Sequence, residues 1–425
     1  MRKKICIIMA IVLMFCACAA LTGCLNPISL DNYGYVVTIG ADKGKEEKYE
    51  VILELQRERS NEGSENEGGS IILSSEGNTL FEAINRISYR TAYPLNFTRT
   101  HVFIFGEELA REGMIEDFFK LSFDKLRIRQ SAIVMIVQCT LREYLGGLAA
   151  NNNPNLTKFQ DDMLYDQINS GQIAVTDLST FLEACDGEYF DPVTPVGFFN
   201  EKVVTDASQK TSSSEGKNPL EDAEEGAPLG GTMSLTTAAA LFDGWKMTGM
   251  LTPHDTQFMN MGRGEFKSGT ITCSLSIPKG SIDSGKSDKS TEADKPGKQV
   301  PIALLAKMDK RTVKVDMSGE KIKVKVSLNL DISVEQDATR TIGEKWNEGM
   351  HELVQDYFVS ELERVFKICQ ECNSDAMGLG KYVSKEFRTV AELEAFDWKK
   401  NYADIEVEFD LNLMLDDFYI AISRQ

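Results

Sequence analysis

Two runs near the C-terminal end constrain the fold more than any other feature of this chain. Ile322, Val324, Val326, Leu328, Leu330, Ile332 and Val334 alternate with Lys, Ser, Asn and Asp. Ile405, Val407, Phe409, Leu411, Leu413 and Leu415 repeat the pattern against mostly acidic and polar residues. A period of two puts every apolar side chain on one face, so each run predicts a long strand with one dry and one wet side. Between them, 340–372 predicts a single long helix. Its rows Trp346, Met350, Leu353, Tyr357 and Val354, Phe358, Leu362, Val365 form an apolar stripe. Such a helix is about 45–50 Å long and a strand of roughly 13 residues about 43 Å, so one can cover the other. The expected C-terminal unit is a long antiparallel sheet crossed by one long helix.

The rest of the chain mixes strands and helices. Tyr35–Ile39 and Tyr49–Leu55 predict strands joined by a turn at 42–44, and Thr79-x-x-Glu82 opens a helix with a capping box. His101–Phe105 predicts a strand. The nearly unbroken apolar run 131–137 predicts a buried central one. Thr140-x-x-Glu143 opens another helix, and 156–169 and 177–185 are helical in pattern. Asp243-Gly244 between two apolar runs predicts a hairpin with a type I′ turn. Thr252-Pro253 then starts a helix that ends near Gly262, and 268–277 predicts a strand. The fold class is α+β: multi-domain, with mixed and antiparallel sheets packed by helices.

Three polar stretches punctuate the 425 residues, at 60–70, 206–229 and 278–298. None carries enough apolar surface to offset the entropy of ordering. The expected organisation is a leader at 1–23, an N-terminal domain at 24–205, an acidic linker at 206–232 and a C-terminal domain at 233–425. The N-terminal domain has a candidate break near 145–155.

The leader has Arg2, Lys3 and Lys4, then an apolar run from Ile5 to Ala20, then Leu21-Thr22-Gly23-Cys24. That order is an export signal with small residues before a cysteine that a lipoprotein signal peptidase would leave at the mature N-terminus. An uncleaved membrane helix is the competing reading, but it has no need of Leu-Thr-Gly-Cys. Cys24 is therefore the expected lipidation site. The whole chain carries 46 Lys+Arg against 65 Asp+Glu, a net charge of −19. Such a body is repelled by nucleic acid and by anionic headgroups, so attachment falls to acyl chains.

The residues that carry chemistry are scattered. His101, His254 and His351 lie on three different predicted elements, and no G-x-S-x-G elbow accompanies them. Cys369 and Cys372 share the C-x-x-C spacing of zinc and redox sites. They lack a second ligand pair and fall at the end of a helix instead of a strand-to-helix turn. Gly378-Leu379-Gly380-Lys381 is short of the full phosphate-loop pattern. No catalytic residue, cofactor or metal is expected, and the chain reads as a non-enzyme.

Several stretches resemble the Ger(x)C family, the lipoprotein C subunit of spore nutrient germinant receptors. They are Thr79-Leu80-Phe81-Glu82-Ala83-Ile84; the run 97–113, ending Gly106-Glu107-Glu108-Leu109-Ala110-Arg111-Glu112-Gly113; Ala239-Ala240-Leu241-Phe242 with Met247-Thr248-Gly249-Met250-Leu251; and Asp375-Ala376-Met377-Gly378-Leu379-Gly380 followed by Trp398. Leu25-Asn26 departs from the family's Trp-Asp after the lipidated cysteine, and the acidic inserts are long. The resemblance implies a palmitate-bearing membrane lipoprotein of sporulation and germination on the outer face of the spore inner membrane. It implies partnership with an A subunit and a permease-like B subunit, and a scaffold or signal-relay part in nutrient-triggered germination. For 107–113 the residues themselves read more simply, as a loop into a short helix ended by glycine. The rival from another class is a solute-binding lipoprotein of a transporter, whose alternating βα lobes the long amphipathic strands oppose.

Overall fold

The computed structural model describes residues 33–56, 70–120, 128–150, 169–198 (188 aside), 235–277, 298–337 and 348–416, with a few isolated positions elsewhere. Cys24, almost all of the three polar stretches, the predicted helix at 156–169 except its last residue, and the first part of the predicted long helix lie outside the described residues.

The first sheet has nine strands. Its order is β3 (Ser70–Gly77), β2 (Tyr49–Gln56), β1 (Gly34–Lys43), β5 (Val102–Gly106), β6 (Ile133–Val137), β7 (Val193–Phe198), β8 (Leu235–Asp243), β9 (Lys246–Leu251), with the short β4 (Leu95–Asn96) beside β1. The central pairs β1–β5, β5–β6 and β6–β7 are parallel, and the flanks are antiparallel. A parallel centre is covered on both faces, which is why β6 is apolar without alternation. On one face lie α1 (Leu80–Ser88), α2 (Glu107–Arg111), α3 (Ile115–Lys120) and α5 (Leu178–Asp186), around a core of Phe103, Phe105, Phe118, Phe119 and Phe181. On the other, α4 (Leu141–Ala150) packs Leu141, Tyr144 and Leu145 on Ile104, Met135 and Val137.

The capping signals place two of these helices. Thr140 and Glu143 exchange bonds reciprocally: the Glu143 N–H donates to Thr140 Oγ1 at 3.3 Å, and the Thr140 N–H donates to Glu143 Oε2 at 3.0 Å. At α1 the box is displaced. Thr79 Oγ1 accepts from the Glu82 N–H at 3.2 Å, but the Glu82 carboxylate accepts from Asn78.

The β8–β9 hairpin forms one residue later than the Asp-Gly pair predicts. Asp243 pairs with Lys246, and Gly244 and Trp245 make the turn. Only Gly244 takes positive φ (57°). A type I′ turn needs it at both central residues, so this turn is not type I′.

The second sheet has the order β10 (Ser268–Ile277), β11 (Lys298–Asp316), β12 (Lys323–Asp337), β13 (Glu406–Asp416). Before it, α6 (Pro253–Arg263) has a full Thr252–Asp255 capping box and ends at Gly264, whose φ of 87° suits glycine. The first three strands are antiparallel, as expected of the C-terminal sheet. The last pair is not: β12 and β13 are parallel, from Lys323↔Glu406 to Ser333↔Asp416. The long helix α7 (Glu348–Glu371) is the cause. It runs back along the apolar face, with His351 near Leu413 and Gln370 near Ile405. It thereby returns the chain to the end where β12 started, which is how a helical crossover makes parallel neighbours. The short helices α8 (Gly380–Val383), α9 (Val390–Phe396) and α10 (Trp398–Tyr402) complete the return.

The hairpin belongs to both halves. Ala240, Phe242 and Met247 lie in the core of the first sheet, while Ala239, Leu241 and Leu251 lie in the core of the second sheet with α6 and α7. Successive residues of a strand face opposite sides, so one strand closes two cores.

Candidate functional site

Where the hairpin meets the segment after α7, acidic side chains converge in the interior. Asp191, just before β7, is sealed from solvent, as is Asp375 in the loop that follows α7. Asp191 Oδ1 accepts from the Gly244 N–H at 2.9 Å and from the Lys399 ammonium; its Oδ2 accepts from the Asp375 N–H at 2.8 Å. Lys399 also donates to Asp243 Oδ1 at 2.8 Å, and Asn373 Nδ2 donates to Asp243 Oδ2 at 2.9 Å. Lys399, on α10, thus bridges the entry to β7 and the end of β8.

Asp375 organises the rest. Its Oδ1 accepts from the Leu379 N–H (2.8 Å), and its Oδ2 from the Gly380 N–H (2.7 Å) and Trp398 Nε1 (3.1 Å). The Tyr402 hydroxyl donates to Ser374 O at 2.9 Å. Glycine is required at 380 by close approach: an added Cβ would lie 2.1 Å from Tyr189 O and 2.4 Å from Trp398 Nε1. Asp397, at φ 52°, turns the chain between α9 and α10, so that Trp398 and Lys399 point inward. The stretch Asp375–Gly380 and Trp398, singled out by resemblance, is therefore a latch that ties the C-terminal return to the hairpin.

Burial sets the charge state of the latch. It pushes the Asp375 carboxyl up to about 6, against the bonds from Gly380 and Leu379, and the neighbouring Asp191 adds to the rise. Burial would lower Lys399, but the carboxylates of Asp191 and Asp243 outweigh it and hold the ammonium above the usual lysine range. Three polar side chains are thereby committed to one another. The arrangement fixes the position of two segments.

A second polar group sits at the N-terminus of α6. Ligand atoms of His254, Asp255 and Glu361 lie within 4.8 Å of one another. The cationic place among them is taken by Arg364, whose Nη2 donates to Asp255 Oδ1 and, at 2.6 Å, to Glu361 Oε2. Burial would raise Asp255, but bonding with His254, Arg364 and Thr252 brings it down to about 2. His254 Nε2 is 2.9 Å from the Tyr357 hydroxyl. This is the N-cap of α6, neutralised by Arg364 from α7, and a metal would have to evict the guanidinium. Sequence alone does not join the α6 residues to those of α7, since Asp255 and Arg364 are 109 positions apart.

The three histidines stay on separate elements: His101 in the strand lead-in, His254 on α6, His351 on α7. Cys369 is fully buried in the second core and Cys372 half-buried beside Gly249. Burial pushes both thiols up, which favours S–H over the thiolate that metal or redox chemistry uses. In the run 97–113, Phe97, Phe103 and Phe105 are core residues. The Arg99 guanidinium lies 3.9 Å from the centre of the Tyr35 ring, and Arg111 bonds Glu107 at 2.7 Å. Gly113 then ends the α2 turn at φ 76°.

Two family models match the chain: the spore germination protein N-terminal domain over residues 26–197, and the spore germination B3/GerAC-like C-terminal domain over residues 237–418. YfkR of Bacillus subtilis (strain 168), named as a putative spore germination protein, is 24% identical over 216 residues, which are 49% of this chain and 52% of that one. The chain thus spans about half the length of that curated relative. The crystal structure of the GerBC protein aligns over 89% of this chain and 96% of its own at 12% identity, with a TM-score of 0.47. Among the described residues no helix is long and apolar enough to cross a membrane. The two matched regions meet at the hairpin and its latch, and together they place this chain in the GerAC family of spore germination proteins.

Proposed function

We propose that this chain is a non-catalytic, lipid-anchored subunit of a spore germinant receptor, acting as scaffold or relay between an A subunit and a permease-like B subunit. One observation carries the reading: the buried aspartates Asp191, Asp255 and Asp375 and their partners join one part of the chain to another. Asp191, Asp243, Asp375 and Lys399 are spent on the latch, and Asp255 and Arg364 on the α6 cap. A body whose halves share a strand and a buried ion cluster transmits a push at one end to the other. Cys24 is its attachment point, acylated so that the body sits on the outer face of the spore inner membrane.

Two experiments test this. Spores carrying Cys24→Ala should lose receptor assembly and nutrient response; normal receptor levels and response would remove the anchor from the function. Calorimetric titration of the body with amino acids and sugars should give no heat. Micromolar binding by this chain alone would replace the scaffold with a solute-binding role.

A further inference from the structure

The chain enters its first sheet beside an exposed aromatic patch. The Gly34 N–H donates to Pro94 O at 3.0 Å, and Gly34 pairs with Leu95 of β4. Pro94, Leu95, Tyr93 and Phe97 line a cleft of about 540 Å³ running along α1. Tyr89 is 85% exposed and Tyr93 56%. Ile71, also exposed, starts β3 at the same end, since β3 pairs there with the last residues of β2 and these with the first of β1. From residue 33 onward, three of the five exposed large apolar or aromatic side chains among the described residues (Ile71, Tyr89 and Tyr93, against Leu305 and Met414) cluster at this end.

Cys24 precedes Gly34 by about ten residues, a reach of at most roughly 35 Å even fully extended. An acyl-anchored Cys24 therefore keeps the start of β1 within roughly 35 Å of the bilayer. Tyrosine is the side chain that rests at the headgroup boundary, ring inward and hydroxyl in water.

We infer that the patch of Ile71, Tyr89 and Tyr93, with its cleft, is the face this protein lays on the membrane surface, orienting the body above its anchor. The inference rests on the lipid-anchor reading of Cys24. Charge does not drive the contact. Arg90 and Arg99 stand in this region, but the chain as a whole carries a net charge of −19. Anionic headgroups repel such a body, so the surface recognised is the neutral headgroup–acyl boundary.

The test uses the acylated full chain carrying Tyr93→Trp, on phosphatidylcholine vesicles whose acyl chains bear bromine as a fluorescence quencher, with the acylated wild type in parallel. The variant should float with the vesicles and lose the emission of the added tryptophan, while the native tryptophan signal stays unquenched. Adding phosphatidylglycerol should not increase the loss. A chain that floats while the introduced indole stays unquenched keeps its anchor and overturns the membrane face, leaving the cleft to a protein partner. Quenching that appears only with phosphatidylglycerol overturns the neutral-boundary assignment. A chain that does not float fails the anchor, and this inference with it.

Discussion

The ammonium of Lys399 rests on the carboxylate of Asp191, a residue 208 positions earlier that is sealed from solvent. The contact joins the last helix before β13 to the entry of β7, and Lys399 adds Asp243 of the hairpin to the same bond set. Removing the lysine leaves Asp191 buried with its charge uncompensated. Lys399→Met should lower unfolding free energy at pH 7 by about 2–4 kcal/mol, at or below the range for breaking a buried pair because Lys399 keeps some exposure. Urea denaturation followed by tryptophan fluorescence reads this, and a change under about 0.5 kcal/mol, the size of an ordinary surface substitution, would deny the latch a structural role.

Asp375 gives the latch a pH dependence. Its carboxyl is raised to about 6 in the fold against about 3.9 unfolded. Its contribution is therefore complete below about pH 4 and is lost as pH rises through 6. Ionisation of this one group should cost up to about 3 kcal/mol by pH 7.5. Asp375→Asn cannot titrate, but its amide nitrogen would face the donors of Leu379 or of Gly380 and Trp398. The variant should be less stable at about pH 4.5, and its deficit should shrink by about pH 7.5. A deficit independent of pH would refute the assignment.

At the α6 cap, Arg364 occupies the place that a divalent cation would need. Arg364→Leu should cost about 2–4 kcal/mol, because Asp255 stays buried with its main cation removed. Asp255, held at about 2, contributes stability above about pH 4 and loses it as pH falls through 2. Chelator or added zinc should leave the thermal midpoint of the wild type unchanged. A zinc-dependent rise would favour a metal centre.

Gly106 opens the Gly-Glu-Glu-Leu stretch, and a Cβ there would lie 2.3 Å from Asp42 Oδ1. Gly106→Ala should destabilise by about 1–3 kcal/mol through overpacking. Loss of germination in spores with this variant should track loss of the folded protein on immunoblots. Normal levels with no response would give the stretch a direct part in signalling.

The amphipathic strands, the long helix and the capped helices are legible in the sequence because each rests on local periodicity or a three-residue signal. The parallel β12–β13 pair is not. Alternation fixes which face of a strand is buried, whereas direction depends on where α7 delivers the chain. The turn at Gly244-Trp245 defeats the Asp-Gly rule by a single position, because Asp243 is drawn into the ladder with Lys246 and its carboxylate is held by Lys399 and Asn373. For the latch, sequence flags Asp375–Gly380 and Trp398 without their purpose. Asp191 carries no local signal: a lone aspartate before a strand acquires meaning only from partners far along the chain.

The dual membership of β8 bears on how this protein can be taken apart. Its ladder neighbour β7 lies on the far side of the acidic stretch, and alternate residues of β8 serve different cores. Separate expression of 24–205 would leave β7 as a raw sheet edge. Separate expression of 233–425 would expose half of a hydrophobic hairpin, and both fragments should aggregate. A protease cut within 206–232 of the folded chain is another matter, since the two pieces should co-migrate as one particle until denatured.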